Sequence, residues 1–305
     1  VCYNKLVNSP EQAPEGRTCA AHARNSRAGN GWELLMRCNM ISGIDISQYQ
    51  GSAFNTEKAK AEGFDFCICR LGGGLPGFNQ DKYFLDNYIN CKEQGLKVGA
   101  YVYANGLNEE NYFLDVFAYE TASRLDTLQL EYPVFLDVEA ASWRNRTKEV
   151  NTAVIKRILN KMESYNLFVG VYSSQDWFKN CVNYDELYGR YVCWVAKWST
   201  TPPNIGYDLW QYGGETNLIR PNQVAGVTCD QDYSKYDYSE IIPKTNCNGW
   251  TDLTCDINGD GKINSKDIVA EMKAVANGTG GKDVNGDGKV NSKDIVKIMK
   301  EISDK

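Results

Sequence analysis

Residues 132–143 read YPVFLDVEAASW. The apolar run from Pro133 to Leu136, continued by Val138, predicts a buried strand with two carboxylates, Asp137 and Glu139, at its end. Residues two apart on a strand share a face, so both acids are expected to project together. Two carboxyls held side by side out of water repel each other. One pKa then rises and keeps its proton while the other group stays ionised. Such a pair suits acid-catalysed bond cleavage. The plainer reading is a strand running out into an acidic loop, and the surrounding chain has to decide between the two.

On either side of this strand, helical and extended patterns alternate. Upstream lie ISGIDISQYQG from Ile41, a helix-like stretch Phe54–Glu62, the strand FDFCICRLGG, a helix from about Asp81 to Gly95, the strand LKVGAYVYA, and an amphipathic helix over Glu109–Leu128. Downstream, Lys148–Tyr165 predicts a helix and LFVGVYSS a strand. CWVAKWS and YDLWQYGG predict two further strands, followed by AGVTCDQDYS. Strands and helices alternating over roughly 200 residues predict an α/β fold with a parallel sheet closed into an irregular TIM-like β/α barrel. Helices become scarce after Tyr188, so the last strands are expected to connect by loops. In such barrels the site lies at the C-terminal ends of the strands. Asp45, Asp137, Glu139 and Asp230 gather there, together with Tyr49, Tyr101, Tyr103, Tyr172, Trp194, Trp198, Trp210 and Tyr212. Acids interleaved with aromatic rings suit a carbohydrate, whose CH faces stack while its hydroxyls bond to carboxylates.

The composition excludes several alternatives. The chain has 305 residues, is 42% hydrophobic and 24% charged, and carries a net charge of -6 with no Lys/Arg-rich run, which argues against nucleic acid as a main partner. No stretch approaches 18 consecutive apolar residues, so no membrane span is expected. The single histidine, His22, lies in the polar N-terminal segment, which argues against Ser-His-Asp, Cys-His and multi-histidine metal chemistry and leaves acid–base work to carboxylates, Tyr or Lys. Eleven cysteines are many for a reducing compartment, and their spacing suits no zinc site. Cys67 and Cys69 read as buried thiols on a strand, whereas Cys2, Cys19, Cys38, Cys247 and Cys255 are candidates for bridges of open connectivity. A first residue Val1 is consistent with a mature secreted form. The expected organisation is a Cys-containing extension over 1–41, a barrel over 42–245 and a small module over 246–305.

That last module is duplicated. DINGDGKINSKDIVAEMK from Asp256 and DVNGDGKVNSKDIVKIMK from Asp283 agree at 14 of 18 positions, 27 residues apart. Each carries oxygen donors at positions 1, 3, 5, 9 and 12 of a calcium loop, with glycine at 6. In the first loop these are Asp256, Asn258, Asp260, Asn264 and Asp267, with the carbonyl of Lys262. In the second they are Asp283, Asn285, Asp287, Asn291 and Asp294, with the carbonyl of Lys289. Two structural Ca2+ ions are therefore expected in an all-α module of two loop–helix repeats. A sensor EF-hand pair would need a helix before each loop, and NCNGWTDLTC is a poor one.

GIDISQYQG, GLKVGAYVYA, YPVFLDVE, GVYSS, WVAKW, LWQY and GVTCDQD, in that order, resemble the glycoside hydrolase family 25 lysozymes, which are N-acetylmuramidases. The resemblance implies that Glu139 is the general acid, that Asp137 stabilises charge or orients the substrate acetamido group, and that Asp45 acts with them. It places Asp230, Tyr101, Tyr172, Trp194 and Gln211 in the substrate cleft. Two departures stand out: AYVYA replaces an AYHF-like strand, and Asp232 stands where the family has Asn. The C-terminal repeats resemble a type I dockerin, which docks on a cohesin domain of a scaffold protein. The positions matching its recognition pair are Ser265 and Lys266, with Ser292 and Lys293 as the second copy. Together these imply an extracellular, scaffold- or cell-surface-associated peptidoglycan hydrolase. The alternatives are a hydrolase of another N-acetylated glycan such as chitin, or an inactive glycan-binding barrel.

Overall fold

The computed structural model describes residues 40–51, 54–74, 77–105, 110–251 and 253–303. The extension with its three cysteines and His22 lies outside the described residues. The elements of the larger unit run β1 (Ile41–Ile46), α1 (Thr56–Ala61), β2 (Phe66–Gly73), β3 (Asn79–Gln80), α2 (Phe84–Glu93), β4 (Lys97–Tyr103), α3 (Asn111–Leu125), β5 (Val134–Asp137), α4 (Lys148–Glu163), β6 (Val169–Ser174), α5 (Gln175–Cys181), β7 (Val192–Ala196), β8 (Leu209–Gly213), β9 (Gln223–Val224), β10 (Val227–Thr228) and β11 (Asp230–Ser234).

The sheet order is β1-β11-β8-β7-β6-β5-β4-β2-β3, and β1 also pairs with β2, which closes an eight-strand barrel with β3 appended. Within the barrel the pairings from β1 through β8 are parallel, whereas β11 runs antiparallel to both β8 and β1 and the appended β3 runs antiparallel to β2. As expected, the last strands connect without helices, none intervening between β7 and β8 or between β8 and β11, whereas the reversal of β11 was not anticipated.

Alternation along each strand divides the apolar residues into two layers. One set (Val98, Val102, Val134, Leu136, Val171, Val195) packs outward against helix residues such as Phe84, Phe117, Ile155 and Trp177. The other (Phe66, Ile68, Phe135, Val192, Trp194, Leu209) fills the lumen, as side chains must in a barrel this narrow. Gly43 makes room there, since a Cβ would lie 2.2 Å from the Phe66 ring. Local caps start the helices: Asn55 accepts from Lys58 N and Thr147 from Val150 N at two expected starts, and Ser174 accepts from Trp177 N at the start of α5. α5 was not anticipated, because QDWFKNC is too short to show a period.

The lumen floor is closed by Tyr238, Ile242 and Cys247 from the chain after β11. Asn248 accepts from Phe168 N at 2.9 Å and donates to Tyr132 O at 3.0 Å, and Trp250 Nε1 donates to Leu130 O at 2.9 Å. These bonds attach residues 246–250 to the barrel. The compact units accordingly divide between Trp250 and Thr251, five residues later than the expected 245/246 boundary. The second unit holds α6 (Ser265–Asn277) and α7 (Ser292–Ser303), each following one acidic loop.

Candidate active site and ion-binding loops

The carboxyl ends of the parallel strands and the amino end of β11 meet at one rim. Because β11 is reversed, its first residue reaches that rim, and Asp230 lies directly across from Asp45 in the register. Asp45 and Asp137 are buried, Asp230 is partly exposed, and Glu139 is open to solvent. Glu139 is not on the strand: β5 ends at Asp137, and the chain turns through Ala140 into a 3-10 turn over Ala141–Asn145. The two acids therefore do not share one strand face as expected. They remain close enough for the Glu139 charge to push the Asp137 pKa up.

Each carboxyl has a distinct environment. Burial raises Asp137 well above the usual carboxylate range and Glu139 adds to this, while the Arg70 guanidinium opposes it. Asp137 Oδ1 is buried and has no hydrogen-bond partner within the protein. Glu139 is raised by desolvation at the crowded mouth although its side chain reaches water. Burial, Glu215 and Glu139 push Asp230 up to about 6. Asp45 is raised by burial and by the charges of Asp230 and Asp232, partly offset by a bond from Gln211. Burial and the charge of Asp230 likewise hold Asp232 well above the usual carboxylate range, partly offset by the bond from Trp194.

The lumen side chains form a bonded chain beneath the mouth. Gln211 Nε2 donates to Asp45 Oδ2 at 2.8 Å, and Gln211 Oε1 accepts from Tyr172 OH at 2.9 Å and Trp198 Nε1 at 3.1 Å. Trp194 Nε1 donates to Asp232 Oδ1 at 2.8 Å, and its ring is flanked by Tyr172, Phe135 and Tyr101. Trp194 is 1% and Gln211 3% exposed, so both hold acids in place and offer no face to a glycan. Tyr101 and Tyr172 likewise line the lumen beside Trp194. The open rings at strand ends are Tyr49, 77% exposed, and Trp198, 44% exposed. Gly214 lets Asp230 and Trp198 approach, because a Cβ there would lie 1.8 Å from Asp230 Oδ1 and 3.0 Å from the indole.

Arg70 escaped sequence reading. A lone base in CICRLGG looks like a strand edge, yet its register opposite Tyr101 puts it in the lumen, 5.8 Å from the Tyr103 ring centroid. A groove of about 810 Å3 on the outer side of α3 and α4 is unrelated to this site. Among its charges Arg157 pairs with Asp115 and Lys156 with Glu186.

The two loops of the second unit repeat one geometry. Asp256 Oδ1 accepts from Gly259 N and Asp260 N, and Oδ2 from Gly261 N; Asp283 does the same with Gly286, Asp287 and Gly288. Asp267 Oδ2 accepts from Asn264 N, and Asp294 Oδ2 from Asn291 N. Backbone N–H groups thus orient the carboxylates of positions 1 and 12 in each ring of oxygen donors. A hard cation fits that donor set, which contains neither sulfur nor imidazole. Ser265, Lys266, Ser292 and Lys293 are exposed at the starts of α6 and α7, with Lys266 Nζ 3.6 Å from Asp260 and Lys293 Nζ 3.1 Å from Asp287.

Among solved structures, the bacterial lysozyme from Streptomyces coelicolor is similar at 21% identity and TM-score 0.56, covering 68% of this chain and 97% of that one. The muramidase from Acremonium alcalophilum is similar at 21% identity and TM-score 0.54, covering 68% and 99%. The modular autolysin LytC from Streptococcus pneumoniae, solved with a synthetic peptidoglycan ligand, is similar at 20% identity and TM-score 0.54, covering 64% and 47%. At such identities these likenesses show the fold. No curated protein sequence matches the chain. The description Glycosyl hydrolases family 25 matches residues 44–219, spanning Asp45, Asp137 and Glu139 but ending before β11, and Dockerin type I domain matches residues 254–303. The chain therefore belongs to glycosyl hydrolases family 25, a glycoside hydrolase barrel followed by a type I dockerin.

Proposed function

We propose that the barrel cleaves the β-1,4 bond between N-acetylmuramic acid and N-acetylglucosamine in peptidoglycan, and that the chain is secreted and tethered to a scaffold cohesin through its dockerin. The observation that carries this reading is the contrast within the acid pair. Asp137 is buried with an unpartnered carboxyl oxygen, and Glu139, the most exposed site carboxyl, stands open at the mouth with a raised pKa.

Glu139 is the general acid, placed where a leaving glycosidic oxygen arrives. In the free enzyme, burial favours a proton on Asp137. Substrate reverses the preference, because an acetamido N–H donated to Asp137 Oδ1 favours the ionised form, while a sugar covering Glu139 favours the protonated one. The pair then holds its one proton on the group facing the leaving oxygen. The positive charge developing at the anomeric carbon is met by ionised Asp137. Asp45 and Asp230 form the opposite wall, Gln211 and Trp194 fix that wall from below, and Tyr49 and Trp198 are the stacking surfaces. Arg70 keeps Asp137 ionisable despite its burial.

In the dockerin, each loop takes one structural Ca2+. Asp256, Asn258, Asp260, the Lys262 carbonyl, Asn264 and Asp267 surround the first, and Asp283, Asn285, Asp287, the Lys289 carbonyl, Asn291 and Asp294 the second. The ion neutralises like charges that would otherwise repel and so orders the following helix. Ser265, Lys266, Ser292 and Lys293 contact the cohesin.

The test of the catalytic assignment is release of soluble glycan from purified cell wall by the wild-type and Glu139→Gln chains. Wild-type release abolished in the variant is expected, and near-full activity in the variant would contradict the assignment.

A further inference from the structure

Three thiols converge behind the barrel wall. Cys67 and Cys69 are two apart on β2 and face outward, and Cys91 on α2 packs against them in the layer between sheet and helices. All three are 0% exposed. Their Sγ atoms lie within 4.8 Å of one another, and Cys67 Sγ is 3.7 Å from Cys69 Sγ. Thiolates bound to a common ion at about 2.3 Å sit roughly 3.8 Å apart, so this cluster closes around one ion with small side-chain rotations.

We propose that Cys67, Cys69 and Cys91 form a binding site for one thiophilic metal ion of the Zn2+/Cu+ class, which staples α2 to β2. Ordinary core filling does not require the three sulfurs to meet. In the same layer Cys193 Sγ turns to Tyr191 O at 3.7 Å and Cys229 Sγ to Asp45 O at 3.4 Å, each finding a backbone carbonyl. A disulfide would use two sulfurs and leave the third, whereas a soft ion uses all of them. Binding releases the protons of the coordinating thiols to solvent. Sequence spacing did not show this site, because i,i+2 cysteines on a strand lack their third partner until α2 folds back.

The staple has a place in the architecture. Cys69 lies across from Ile46, the residue after Asp45, and α2 is preceded by Asp81, whose carboxylate accepts from Gln48 N at 2.8 Å. The ion would stiffen the strand end that presents Asp45 without touching the reaction.

The test uses the full chain, purified without chelator from cultures supplemented with zinc or with copper. Metal content and the metal-edge X-ray absorption spectrum are measured. The expected result in either culture is one thiophilic ion per chain with a shell of three sulfurs at about 2.3 Å. Cys91→Ser should lose that ion while keeping its calcium. Should the variant not fold, the wild-type spectrum decides alone. An oxygen-only shell, no thiophilic ion in either culture, or a disulfide among these cysteines by peptide mapping would overturn the proposal.

Discussion

Replacing Glu139 by Gln keeps the side chain's volume at the mouth and removes its proton. Turnover should fall by at least ~10²-fold, the scale of general acid catalysis, while glycan affinity is retained in a sedimentation assay. Loss of binding together with turnover would mean that Glu139 holds the glycan and does not protonate it. A finer test concerns Asp230, raised to about 6 by burial, Glu215 and Glu139. Glu215→Gln removes one repulsion, so Asp230 should lose its proton at lower pH. The limb of the kcat/KM profile near pH 6 should shift downward, and an unmoved profile would remove Asp230 from the reaction. Asp45, Asp137 and Glu139 were legible because acids ending apolar runs are conspicuous. Arg70 was not, because one base in a strand carries no sign of which face it occupies. Trp194 and Gln211 read as cleft residues, and only the closure of the lumen shows that both are spent on holding Asp232 and Asp45.

At the level of elements, the alternation of strands and helices was readable as far as β8. The reversal of β11 was not, since a short polar strand reads alike in either direction. That reversal brings Asp230 to the rim at the start of its strand, next to a glycine on the turn leaving β8. Gly214→Ala would drive a methyl into Asp230 and the Trp198 indole. The expected outcome is a roughly tenfold or greater loss of glycan affinity, about 1.4 kcal/mol, with the far-UV spectrum unchanged. Unaltered affinity would show that Asp230 and Trp198 do not form the glycan-binding wall. The displacement of Glu139 from β5 has a similar cause. The strand stops where the chain leaves the sheet for the 141–145 turn, and a period-two pattern cannot register that exit.

For the whole molecule, burying Asp45, Asp137, Asp208, Asp230 and Asp232 with raised pKa values ties stability to pH. A carboxyl whose folded pKa is raised contributes stability that is complete below its unfolded value, about 3.9, and is lost as pH rises through the folded value. For Asp208 and Asp230 that folded value is about 6. A shift of two units corresponds to about 3 kcal/mol. The calorimetric midpoint of the barrel should therefore drop as pH rises from about 4 to about 6, and a flat dependence would contradict the assigned burial. The calcium loops predict a separate response. Excess chelator should unfold residues 251–303 and abolish cohesin binding, while the barrel still digests soluble glycan fragments. Cohesin binding that persists in chelator would refute a calcium-ordered dockerin. The two-part organisation was legible because a 27-residue repeat of oxygen donors has few other uses. The compact unit extends past the expected boundary because the side chains of Asn248 and Trp250 bond to backbone groups of the barrel, which composition does not reveal.

The central claim is the bond that is cut. Purified peptidoglycan is digested with the wild-type and Glu139→Gln chains, and the new reducing ends are identified by reduction and mass spectrometry. The account predicts N-acetylmuramic acid at the new reducing ends from the wild type and none from the variant. N-acetylglucosamine ends, or glycan bound but not cleaved by the wild type, would contradict it.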